Sequence, residues 1–294
     1  MLKTKVASIS FLLFVLVSFG KAQDSSITNK HSFLKLTGSY LTNSVYNGRK
    51  DSAVLPYITS SLEYYNKTGF FAIGSLSYSA ATGDSRIDHF TIEAGYEFKL
   101  SNQVYGGFYG SKYFYNNSST YVRSEMKGGL GGNLSYDPGF LTFSSGLDLS
   151  FSSNTDIDLS GAISHGFYFG EKGSEWGLVP TVTTHIGTQN YYKDYITYRK
   201  GKGGARGRGK GRNNNNGSGT TTTTTTTSSA FGVLDYELSI PIEYDGNKWG
   251  LFFTSTYAIP QNPVSVYSSS TGSTYITEKL ENTFFALFGV YIKL

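Results

Sequence analysis

Glu93 and Glu97 stand four residues apart in DHFTIEAGYEFKL (88–100), with His89 and Lys99 on the same parity. Glu63, Asp148, Asp235 and Glu237 hold matching polar positions in other alternating segments, and Arg123, Glu125 and Lys127 form a second alternating charged run. Charges that line a shared cavity set its field and select ions by sign. The same groups can instead pair into a salt-bridged filling that conducts nothing. Two other groupings bear on catalysis. Ser145 and His165 share the oily parity of neighbouring segments, and a Ser–His pair is the least that activates a hydroxyl. Asp84, Asp88 and His89 gather near a turn, where acids are ordinarily solvated loop residues. The four His match no metal-ligand spacing, and no cofactor is expected.

These residues need elements to hold them, and the pattern names the elements. In 88–100, Phe90, Ile92, Ala94, Tyr96, Phe98 and Leu100 alternate with polar residues, as in a strand with one oily and one wet face. Such segments recur near 32–41, 56–65, 70–80, 87–100, 103–115, 120–136, 140–152, 156–169, 175–188, 230–244, 248–260 and 278–294. Each is long enough to cross a bilayer at a tilt. Short turns (NKTG 66–69, LSNQ 100–103, DPG 137–139, GEKGSE 170–175, DGNK 245–248) alternate with a second set of connections that includes the two longest, 189–229 and 261–277. Within the oily faces, from the first to the last large apolar residue and leaving aside 103–115, no Asp, Glu, Lys or Arg occurs, although 16% of the chain is charged. A charge on a lipid face costs about 2–4 kcal/mol at mid-membrane. Tyr40, Tyr64, Phe70, Tyr78, Phe98, Tyr136, Phe151, Phe169, Trp176, Tyr244, Trp249 and Tyr257 sit near the segment ends on that parity, where aromatic girdles would lie.

The first residues read as an export signal. Lys3 and Lys5 precede the apolar run Val6 to Phe19, and Gly20-Lys21-Ala22 is a small-x-small site, which places cleavage after Ala22. A short tail, 23–31, leads to the first strand. The chain lacks Cys, which removes disulfides and thiolate chemistry. Its net charge of +4 falls to +1 without Lys3, Lys5 and Lys21. Arg199, Lys200, Lys202, Arg206, Arg208, Lys210 and Arg212 form a basic low-complexity run inside 189–229, so the rest of the mature chain is acidic, at −6.

The closing stretch NTFFALFGVYIKL puts Phe284, Ala286, Phe288, Val290, Ile292 and Leu294 on one parity. It resembles the C-terminal signature strand of bacterial outer-membrane β-barrel proteins, although those most often end in Phe. The resemblance covers nearly all of the mature chain and concerns architecture. It implies an all-β fold, a transmembrane up-and-down antiparallel β-barrel of about twelve strands over 32–294, in the outer membrane with both termini periplasmic. It also implies contact with outer-membrane lipids, lipopolysaccharide among them, and with the barrel assembly machinery. The basic run suits polyanionic surface polymers better than nucleic acid, because no aromatics interleave it. The leading functional expectation is a small passive channel for ions or polar solutes. The alternative is a structural or surface-binding barrel that displays long loops. An outer-leaflet lipase or protease stands third, because the His-x-Ser-Asn phrase of barrel phospholipases is absent and His165 lies in SHGFYFG. If the strands close into a membrane barrel, the protein will migrate anomalously on mild-detergent gels until it is boiled. A chain that stays monodisperse without detergent would contradict the reading.

Overall fold

The computed structural model describes residues 31–51, 53–83, 85–171, 173–192, 224–227, 231–268 and 274–294, with 224–227, 265–268 and 274–277 described by backbone alone. The expected signal segment, Asp84 and the basic run of 199–212 lie outside these residues.

Alternating residues force successive side chains to opposite faces, and twelve such strands pair in sequence order. They are β1 (Phe33–Leu41), β2 (Tyr57–Tyr65), β3 (Phe70–Ser79), β4 (Arg86–Lys99), β5 (Val104–Tyr115), β6 (Gly128–Tyr136), β7 (Thr142–Phe151), β8 (Thr155–Ser164, continued by Phe167–Glu171), β9 (Ser174–Leu178, continued by Thr181–Gly187), β10 (Gly232–Gly246), β11 (Trp249–Pro260) and β12 (Thr283–Lys293). Every neighbouring pair is antiparallel, and β1 pairs with β12 from Lys35↔Lys293 to Leu41↔Leu287. The sheet is therefore a closed barrel. β8 and β9 are interrupted where Pro180 cannot donate to the ladder. Below the break, Phe167–Glu171 pairs with Ser174–Leu178 alone, and among the described residues no strand covers its other edge.

The oily parity faces outward. Leu36, Ile58, Leu62, Leu76, Ile92, Leu130, Leu147, Leu159, Val182, Leu238, Ile240 and Val290 are all exposed on the barrel wall. Lys112 on β5 is also exposed and outward. Its Nζ lies 5.8 Å from the centroid of the Phe114 ring, so the long side chain can carry its charge toward the rim. At the short-turn rim, Trp176, Tyr244 and Trp249 form a ladder with ring centroids 5.1 and 5.0 Å apart. Tyr40 meets Phe288 at 5.2 Å.

Two bulges break the strict alternation, both near the long-loop rim. The β3–β4 register slips between Ser77 and Tyr78, so Asp88 and His89 both point inward. The β9–β10 register slips between His185 and Ile186, so Leu234 and Asp235 both point inward. A bulge adds one unpaired residue and re-aims its neighbour. Asp88 is thus fully buried, which corrects the expectation of a solvated loop acid.

Ile92 lies mid-wall with half its surface exposed. Ile92→Arg will lower bilayer stability by about 2–4 kcal/mol, whereas Leu100→Arg, at the turn rim, will cost about 0–1 kcal/mol. Equal losses in a folding titration into vesicles would deny that the wall faces lipid.

Candidate functional site in the barrel lumen

The lumen is built from the wet parity and from loops folded into it. The connection after β1 carries Val45-Tyr46-Asn47-Gly48-Arg49-Lys50. Val45 and Tyr46 pair with Lys50 and Arg49 around an Asn-Gly turn in which both residues have positive φ. That is the favoured turn of a two-residue hairpin. The hairpin enters the barrel: Val45 and Arg49 are almost wholly buried. Arg49 Nη2 donates to Gln189 Oε1 (2.9 Å) and to the carbonyls of Gln261 (2.7 Å) and Asn262 (2.8 Å). Its Nε lies 3.2 Å from the Glu278 carboxylate. At the hairpin's end, Lys50 reaches the exposed Glu281 at 3.4 Å, and Lys279 and Lys50 hold that carboxyl below its ordinary pKa.

A second loop, between β5 and β6, packs against the hairpin. Asp88 ties it down, accepting from Ser119 Oγ (2.8 Å), Tyr57 OH (2.6 Å) and Arg86 Nε (2.8 Å). Arg123 lies 4.4 Å from the Tyr46 ring centroid and 4.9 Å from that of Tyr113, and donates to Tyr113 OH at 3.0 Å. Such a cation over aromatic faces is worth about 2 kcal/mol when desolvated. Tyr46, Tyr113, Tyr121, Val122, Met126, Tyr191, Tyr192 and Val264 make one buried cluster. Burial pushes the Tyr46 and Tyr121 phenols above their ordinary pKa, while the Arg123 charge pulls both back. Asp156 holds the third piece, accepting from Thr188 Oγ1 (2.7 Å) and from the Asn190 (2.6 Å) and Tyr191 (2.7 Å) amides.

Below this plug the wall is charged. Glu63, wholly buried, pairs with Lys35 at 2.7 Å and accepts from Thr37 (2.7 Å), Ser61 (2.7 Å) and Tyr65 (3.0 Å). Ser111 donates to Glu93 at 3.1 Å, and Tyr109 donates to Asp148. Phe71, Ile73, Tyr65 and Tyr109 form an apolar patch inside the turn-side half, where Gly95 leaves room for the Phe71 ring. At the turn-side mouth, Lys293 Nζ meets Asp245 at 2.6 Å.

Of the residues expected to line the lumen, Glu63, His89, Glu93, Glu97, Asp148, Asp235 and Glu237 lie buried on the inner face. His89 sits among Tyr57, Tyr115 and Tyr121, with ring centroids 5.2 to 5.9 Å away. Four residues need correction. Arg123, Glu125 and Lys127 are not on a strand, since β6 begins at Gly128, and Lys127 is exposed. Lys99 is exposed at the turn rim. The 120–136 segment mimicked a strand because its alternation is real, but Val122 and Met126, on its oily parity, bury against the plug with Tyr121 instead of facing lipid. Ser145 and His165 do not meet. Ser145 pairs with Gly161, four positions from His165, which is about 13 Å along a strand. The His165 ring instead contacts the Phe140 carbonyl at 2.6 Å. The plug hairpin was missed, although its Asn-Gly turn was the signal that could have revealed it.

No family model matches this chain, and no curated protein does. Solved structures do. The likeness is one of fold. LpxR from Salmonella typhimurium shares 7% identity at a TM-score of 0.50, over 88% of this chain and 99% of its own. The NanC porin shares 13% identity at 0.45, over 89% of this chain and 100% of its own. The KdgM porin shares 9% at 0.45, over 90% and 99%.

Removing Arg49 would leave the Glu278 carboxylate and the Gln189 side chain without their cation. Breaking a buried ion pair on one side costs about 3–5 kcal/mol. Arg49→Ala will lower unfolding free energy by roughly that amount and speed amide exchange across 45–50. Unchanged exchange there would mean that Arg49 does not hold the plug.

Proposed function

We propose that the chain is a bacterial outer-membrane barrel that passes ions or small polar solutes, with the 45–50 hairpin as the constriction that limits passage. The observation that carries this reading is an inner wall of charge. Glu63, Glu93, Glu97, Asp148, Asp235 and Glu237 line the barrel from the turn-side half to the loop-side half. A lumen that only needed filling is more cheaply filled with apolar side chains, because buried charges carry a large desolvation cost. The hairpin is held mainly by hydrogen bonds and by the Arg49–Glu278 and Lys50–Glu281 ion pairs. Contacts of that kind can be broken and remade on opening. On this reading the long-loop rim faces the exterior, both termini are periplasmic, and lipopolysaccharide surrounds the upper wall.

One observation favours the second reading, a closed barrel that displays its loops. The inner-wall acids are nearly inaccessible to water in this state. Conductance separates the two. In planar bilayers the wild type should give small, infrequent, cation-preferring openings, and Arg49→Ala should raise their frequency. Glu93→Lys combined with Glu97→Lys, in protein that still shows heat-dependent migration, should lower or invert the cation preference. If wild type and both variants are silent, the channel reading fails and the surface-binding barrel replaces it.

A further inference from the structure

His185 on β9 faces Asp235 directly across the ladder, and Thr183, two residues earlier, faces Glu237. The β10 bulge brings Asp235 to this place by adding Leu234. One ligand atom from each of His185, Asp235 and Glu237 lies within 4.8 Å of the other two. Asp235 and Glu237 are 0% and 1% exposed. Neither Asp235 oxygen has a hydrogen-bond partner, nor does Glu237 Oε2. Among the described residues no Lys or Arg pairs with either. Two adjacent buried carboxylates with three of their four oxygens lacking a donor are costly unless something neutralises them.

The imidazole is already oriented. Its Nδ1 lies 3.2 Å from Asp158 Oδ2, which leaves Nε2 for the carboxylate pair. Asp158 is itself fixed by Asn47 Nδ2 at 2.9 Å, from the tip of the plug hairpin. The tip is close enough that a Cβ on Gly48 would stand 3.0 Å from Asp235 Cβ and 2.7 Å from Pro260 Cβ. A carboxylate that holds one imidazole nitrogen while the other binds metal is the usual outer partner of a metal-ligating His.

The geometry points to a divalent transition-metal site formed by His185, Asp235 and Glu237, with Asp158 as its positioning residue and the hairpin tip as its lid. The imidazole favours zinc, copper, iron or nickel over calcium and magnesium, which take oxygen ligands. Ligands about 2.0–2.2 Å from a zinc ion stand about 3.3–3.5 Å apart, so small rotations of the carboxylates close the site. Three protein ligands leave zinc one further position for water or a solute anion. The bound ion would join β9 to β10 and cancel the charge beneath the plug. None of this depends on whether the lumen conducts.

The test is titration of chelator-stripped, detergent-folded protein with zinc chloride, with calcium chloride as the oxygen-only comparison. The wild type should bind one zinc per chain and prefer it to calcium. Asp235→Asn with Glu237→Gln should weaken binding by about 100-fold or more, and Asp158→Asn by about 10–100-fold. X-ray absorption of the wild-type zinc complex should show one imidazole nitrogen among oxygens. Absence of stoichiometric zinc, undiminished binding by the double variant, or a shell with no imidazole or several would overturn the proposal. Should the double variant fail to fold, the absorption shell of the wild type decides alone.

Discussion

Hydrocarbon offers backbone groups no hydrogen-bond partner, so a sheet within it must close on itself. That constraint organises this chain. Apart from the Phe167–Glu171 end of β8, each of the twelve strands finds a neighbour on both sides, and the seam is an ordinary antiparallel ladder between β1 and β12. Once the ring closes, the period of two sends every second side chain to lipid and the rest inward. The inner residues then have one another, the folded-in loops and whatever enters for company. The Glu63 network and the Tyr46–Arg123–Tyr113 stack are consequences of that confinement.

The wall was legible in the sequence because its signal is local. The oily parity of 88–100 or 284–294 needs no knowledge of any neighbour. Strand ends came out within a few residues at β2, β3, β5 and β11, where Gly, Asn and Asp mark the turns. The contents of the barrel were less legible. Whether Val122 and Met126 meet lipid or a plug depends on where their loop goes, and alternation cannot say. The bulges are also silent in the pattern. Asp88 and Asp235 each follow or precede an inward residue, and only the register with the neighbouring strand reveals the extra step. His185 and Asp235 lie fifty residues apart by number, so their meeting is a fact of pairing.

The interior accordingly divides into two chemistries. The turn-side half balances its charges within the wall, Lys35 against Glu63 and Lys293 against Asp245. The loop-side half carries acids from β4, β7, β8, β9's neighbour β10 and the bulges, and draws its cations from Arg86 at the end of β4 and, on the loops, from Arg49 and Arg123. Loops are the more changeable part of a barrel. Moving them would expose the acidic half to solvent and leave the other half self-compensated. Any response of the lumen to salt or to a bound cation would therefore enter from the loop side.

The uncovered edge of Phe167–Glu171 fixes where the protein sits along the membrane normal. A strand edge with unpaired amides cannot lie in hydrocarbon. The lower limit of the apolar layer must then fall above Phe167, near the level where Ser164 pairs with Thr142 and Thr181. From there β7 runs ten residues to the upper rim. At about 3.3 Å per residue and a tilt near 40°, that length spans about 25 Å, the height of an outer-membrane apolar band. Phe169 and Trp176 fall just below this line, at headgroup depth. The hairpin they occupy is a foot that stands in water, and its open edge acts as a depth gauge for the whole barrel.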